Sequence, residues 1–119
     1  MDNKPRRRTK RIECNLPVQW IRRGIAQPAV ARDLNAHGLF IATELDAQPM
    51  ELLQIVIQLP DGPITACVIA RFVGKSESGK GVGAELFTLS EADRRRWNRF
   101  YRAALRSMGA PIEFELNAA

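Results

Sequence analysis

Period-two alternation of apolar residues, repeated from segment to segment, constrains this chain most. In "IECNLPVQWI" the residues Ile12, Cys14, Leu16, Val18 and Trp20 fall on one side, and in "LLQIVIQLP" Leu53, Ile55, Ile57 and Leu59 do the same. A strand sends successive side chains to opposite faces, so this spacing marks half-buried strands. Pro17 has no amide hydrogen to give a sheet ladder and predicts an edge strand or a bulge. "PAVARDL" and "GLFIAT" are short strands separated by the turn-like "NAHG", and "DG" with Pro63 turns the chain after Leu59. "ITACVIARFVG" and "GVGAELFTL" complete six strands, with "KSESGKG" read as a flexible hairpin loop between the last two. Six strands joined by short turns predict a mainly β fold, an antiparallel sandwich or small barrel.

The end of the chain changes period. "SEADRRRWNRFYRAALRSMG" opens with Ser90 and carries Asp93 three places on, a reciprocal capping pattern. Trp97, Phe100, Tyr101, Ala104, Leu105 and Met108 then form a helical stripe, ended by Gly109 and Pro111. The stripe is expected to pack on the end or side of the barrel. Arg95, Arg99, Arg102 and Arg106 occupy the opposite, solvated face. Residues 12–108 thus form one domain, preceded by a flexible basic arm over 1–11 and followed by a tail over 109–119.

Charge placement limits the function classes. The formal net charge is +5, and residues 1–11 alone hold six basic side chains against one acidic. The rest of the chain is balanced, so the basic excess is an arm and not a folded face. No apolar run is long enough to span a membrane, and no signal peptide precedes the domain, which predicts a cytoplasmic protein without membrane insertion. Cys14 and Cys67 lack metal-ligand spacing and read as reduced, packed thiols. His37 is the single histidine and lies in a turn; Gly81 and Gly83 enter a strand and lack a phosphate-loop pattern. With no nucleophile elbow and no zinc spacing, the chain reads as a binding module and not as an enzyme.

The arm contains Arg7 and Arg11 as R-x-x-x-R, directly before the first strand, and "DLNAHG" follows from Asp33 to Gly38. In this order and context the two motifs resemble those of the PilZ domain family: R-x-x-x-R at the start of a six-stranded barrel, then (D/N)-x-S-x-x-G. The likeness continues through "GLFIAT", "GVGAELF" and the last helix, about residues 6–107. It implies a six-stranded antiparallel PilZ-type β-barrel with a C-terminal helix. It also implies a receptor for the bacterial second messenger cyclic di-GMP, with no further cofactor.

Arg7 and Arg11, with Arg8 beside them, would then meet phosphates and guanines, because a guanidinium pairs with phosphate oxygens and with guanine O6 and N7. Asp33 would accept from guanine N1–H and the 2-amino group, and Gly38 would allow the turn and close backbone approach. Asn35 stands where the family has serine, a bulkier group that still donates and accepts. The expected mechanism is a stand-alone adaptor whose arm orders over the ligand and alters contact with an unidentified protein partner. Two other readings stay open: a PilZ-type interaction module that binds no cyclic di-GMP, and, less favoured, a nucleic-acid-binding module using the arm and the arginine face of the helix.

Overall fold

The computed structural model describes residues 11–109, without side-chain detail for the last two; residues 1–10, with Arg7 and Arg8, and residues 110–119 lie outside the described residues. Six strands, β1 (Ile12–Arg22), β2 (Ile25–Asn35), β3 (Gly38–Ala42), β4 (Leu52–Leu59), β5 (Gly62–Ser76) and β6 (Gly79–Thr88), precede one helix, α1 (Glu91–Gly109). They close a barrel in the order β1-β2-β3-β6-β5-β4, every neighbour antiparallel. Of the two architectures the strand pattern allows, the barrel is therefore the one adopted. β1 does shift register against β2 between Glu13 and Leu16, but Pro17 lies just past that bulge, in register with Val30 and one residue before the β1–β4 pairing begins at Val18.

Alternation placed the interior well. Ile12, Leu16, Val18 and Trp20 of β1 face inward, as do Leu53, Ile55, Ile57 and Leu59 of β4, and they meet Ile64, Ala66, Val68 and Val82 in one cluster. Strand lengths were less legible. β2 begins at Ile25, ahead of Pro28, because Arg23 (φ 53°) and Gly24 (φ 78°) make a two-residue turn straight from β1. "KSESGKG" is not a loose loop: β5 and β6 stay paired to Ser76↔Gly79, leaving only Glu77 and Ser78 as the turn. The sequence hid this because Gly, Ser and Lys weaken strand propensity while backbone pairing with a neighbouring strand overrides it.

Each end of the barrel is plugged by a tryptophan whose ring is buried and whose N–H is satisfied. At one end Trp20 donates to Thr43 Oγ1 at 3.2 Å, under the connection from Thr43 to Glu51. At the other, Trp97 of α1 donates to the carbonyl of Ala36 at 3.1 Å. Tyr101 and Ala104 are buried on the same helix face, while Arg95, Arg99, Arg102 and Arg106 are exposed. From Trp97 to Leu105 the stripe packs on the core, as its spacing predicts, and the Met108 side chain lies outside the described residues.

The cap at the helix start departs from the reciprocal pattern. Ser90 Oγ accepts from the Asp93 amide at 3.0 Å, but the Asp93 carboxylate does not return to Ser90. It accepts from the Thr65 amide of β5 at 3.2 Å and from Arg96 at 3.5 Å, tying the helix to the barrel instead.

Candidate functional site

The strand register decides which motif residues meet. β2 pairs with β3 through Asp33↔Phe40 and Asn35↔Gly38, and β3 pairs with β6 through Phe40↔Gly83 and Gly38↔Glu85. Asp33 shares the parity of the inward-facing Ala31, but β2 shifts register between them, so Leu34 takes the next inner position and Asp33 does not. The bulge re-aims Asp33 onto the outside of the barrel. There a cleft of about 390 Å³ opens, lined by Arg11, Asp33, Asn35, Gly38, Arg71 and Phe72 among others. Phe40 is buried without joining the interior cluster; it lines the cleft. Arg11, Asp33, Asn35 and Gly38 are thus brought together.

Each of these four has a partner that informs its role. Arg11 Nε stands 4.0 Å from Asp33 Oδ1, while its Nη2 donates to Glu77 Oε1 at 3.3 Å. Asp33 Oδ2 accepts from Ser78 Oγ at 2.6 Å, and only 7% of the Asp33 side chain is exposed. Asn35 Oδ1 accepts from the His37 amide at 2.7 Å, so it caps its own turn, as Asx side chains do. The His37 carbonyl in turn accepts from the Leu86 amide at 2.8 Å, fixing the turn against β6.

Gly38 is needed for packing. It does not adopt a positive φ, and a Cβ there would overlap the carbonyl oxygen of Ala84 on β6. Its glycine serves close strand approach, and the conformational freedom expected of it is not used.

Two groups of the cleft, Arg71 and Phe72, and Ser78 beside it escaped sequence reading. Arg71 Nε donates to Glu85 Oε1 at 2.6 Å and extends Nη1 to within 3.2 Å of Met50 Sδ. Phe72 is 45% exposed and pairs across the sheet with Gly83. Ser78 was invisible because nothing local links it to Asp33, 45 residues away. Alternation sends Phe72 inward with Ile64, Ala66, Val68 and Ala70, and the register shift between Ala70 and Phe72 turns it outward instead, so no local signal could have raised it.

A second cleft, about 500 Å³, lies beyond the β5–β6 turn and is lined by Glu13, Cys14, Asn15, Arg32, Glu77 and Ser78. Burial, and then the charge of Asp33, push the Cys14 thiol up to about 11, so it is neutral there. Arg32 donates to Asn15 Oδ1 at 2.5 Å. No group of three His, Cys, Asp or Glu side chains suited to a metal ion occurs among the described residues, and no described helix is long and apolar enough to cross a membrane.

Comparison with known proteins matches this arrangement to a family. The family model for the PilZ domain matches residues 5–103. No curated protein matches the chain significantly. Among solved structures, the Bacillus subtilis inhibitor of motility MotI/DgrA superposes with a TM-score of 0.70 at 19% identity, covering 91% of this chain and 54% of that one. YcgR of Escherichia coli in complex with c-di-GMP gives 0.71 at 16% identity over 87% and 47%. The Klebsiella pneumoniae MrkH–c-di-GMP complex gives 0.74 at 16% identity over 91% and 55%. This chain therefore spans about half the length of these three structures. At such identities the superpositions establish the shared barrel, and with the family model covering most of the sequence, this chain belongs to the PilZ domain family.

Proposed function

We propose that the protein is a receptor for cyclic di-GMP, bound on the outer face of the barrel with Arg7, Arg8, Arg11, Asp33, Asn35 and Gly38 as its site. The observation that carries this reading is the convergence of Arg11 and Asp33 at one cleft, brought about by a bulge in β2. Two solved structures that share the fold hold c-di-GMP.

The chemistry fits the ligand. A carboxylate accepts in parallel from guanine N1–H and the 2-amino group, whereas adenine presents an unprotonated N1 there. Arginine answers phosphate oxygens or guanine O6 and N7. Asn35, engaged with the His37 amide through Oδ1, keeps its amide N–H groups for the ligand. Gly38 contributes by holding β3 tight against β6 and thereby setting the cleft floor. Binding orders the arginine arm over the ligand, and a protein partner distinguishes the ordered from the free arm, an adaptor role in the cytoplasm that requires no catalysis.

Isothermal titration with cyclic di-GMP, run beside cyclic di-AMP and an Arg7→Ala, Arg11→Ala variant, tests this. Saturable binding of cyclic di-GMP alone, lost in the variant, is expected. Equal binding of both dinucleotides would overturn guanine reading by Asp33.

A second reading, a PilZ-type adaptor that needs no ligand, draws on one observation. The Asp33 carboxylate already has a partner in Ser78 and is nearly closed to solvent. Absence of binding by titration and by a second probe would favour it.

A further inference from the structure

The two residues of the β5–β6 turn hold the two described charged groups assigned to the ligand. Ser78 Oγ donates to Asp33 Oδ2 at 2.6 Å, and Glu77 Oε1 accepts from Arg11 Nη2 at 3.3 Å. These contacts are long-range in sequence and converge from one turn, so the placement of the turn decides both.

The hairpin is built to bend. β5 and β6 shift register between Ala70 and Phe72, and Gly74 (φ 146°) and Gly79 (φ 103°) take backbone angles that side chains resist. Past those points the hairpin reaches beyond β3 and sets its turn against β1 and β2. Ser76 lines the cleft on one side of it, Glu77 and Ser78 the cleft on the other. Asp33, the buried charged residue of the described barrel, lies under the turn.

We propose that the Glu77–Ser78 turn is a competing latch and Ser78 an affinity-determining residue of this site: the turn occupies Asp33 and Arg11 in the free protein and is displaced by cyclic di-GMP. This rests on the function proposed above. The physical reason is access. A guanine edge needs both oxygens of the carboxylate, and with 7% of the Asp33 side chain exposed it cannot reach them past the turn. Lifting the turn uncovers Oδ2, frees Arg11 from Glu77, and joins the two clefts into one groove. The hydroxyl's bond to the carboxylate is surrendered on binding, so it lowers apparent affinity by the population of the open form.

The test is titration of the full chain with cyclic di-GMP for the wild type, Ser78→Ala, Ser78→Thr and Glu77→Gln, paired with amide exchange over residues 76–80. Ser78→Ala is expected to bind about tenfold tighter, since a hydrogen bond to a charged group no longer holds the closed form. Ser78→Thr keeps the hydroxyl and should stay near wild type. Glu77→Gln should tighten binding less, because that pair is exposed. Ligand should accelerate exchange in the wild-type turn.

Wild-type binding that Ser78→Ala weakens or leaves unchanged would overturn the latch while leaving the receptor reading intact. A silent wild type with a binding Ser78→Ala supports both. Silence from every variant removes the receptor reading, and the latch with it.

Discussion

Two arginine–aspartate clusters on this barrel use the same chemistry in opposite ways. At the helix end, Arg96 donates to Asp61 Oδ1 at 2.9 Å, to the Gly62 carbonyl at 2.7 Å, to the Pro63 carbonyl at 2.9 Å and to Asp93 at 3.5 Å. Its hydrogen bond to Asp61 holds that carboxyl below the usual range. On the outer face, Arg11 stops 4.0 Å short of Asp33, and the carboxylate takes a serine hydroxyl instead. The first guanidinium is committed to pinning α1 onto the β4–β5 turn. The second is held by a single exposed glutamate, a contact of little worth that can be exchanged for another anion. A full donor set marks structure, whereas the half-made ion pair over a buried carboxylate leaves Arg11 able to exchange its partner, as the proposed binding requires.

Substitution should separate the clusters. Asp33→Ala is expected to lower cyclic di-GMP affinity by at least about 100-fold by titration, as loss of one partner of a buried charge pair does, with the barrel still folded by circular dichroism. A variant that unfolds would place Asp33 beside Arg96 as a structural residue and break the comparison. Gly38→Ala should destabilise by about 1–3 kcal/mol in urea unfolding, because β3 must move away from Ala84. Any binding loss in that variant follows from the displaced strand, which a shifted unfolding midpoint will reveal. Arg96→Ala should lower the melting temperature and leave the affinity per folded molecule unchanged, since none of its partners lines the outer cleft.

The smallest effect concerns Cys14. Its thiol is raised from 9.0 to about 11, first by burial and then by the charge of Asp33. A folded-state value above the unfolded one means this contribution to stability is whole below about pH 9 and is lost as pH rises toward about 11. Thiolate absorbance followed across that range should show Cys14 ionising late. In Asp33→Asn it should ionise earlier, because the neighbouring negative charge is gone. An unchanged titration would mean that burial alone raises the thiol.

The strand alternation, the helix stripe and the two motifs could be read locally because each depends on periods of two or 3.6 residues or on a turn's own chemistry. Ile12 to Trp20, Leu53 to Leu59 and Trp97 to Ala104 went where those periods send them. Arg11, Asp33, Asn35 and Gly38 were singled out by motif order, and the barrel brings them to one cleft.

What lies between elements was not legible. Gly38 is small because of Ala84, Asp93 leaves its cap for Thr65, and the β5–β6 turn finds Asp33 and Arg11. The last of these depends on bulges in β2 and β5, which shift side chains between faces without any local signature. The sequence by itself determined the number and kind of elements and the inner face, which follow from local periodicity, and it carried the motif residues through their order and spacing. Only the tertiary structure decided that a two-residue turn sits on the carboxylate, because barrel closure and strand register bring Asp33 and Ser78 together across 45 residues of chain.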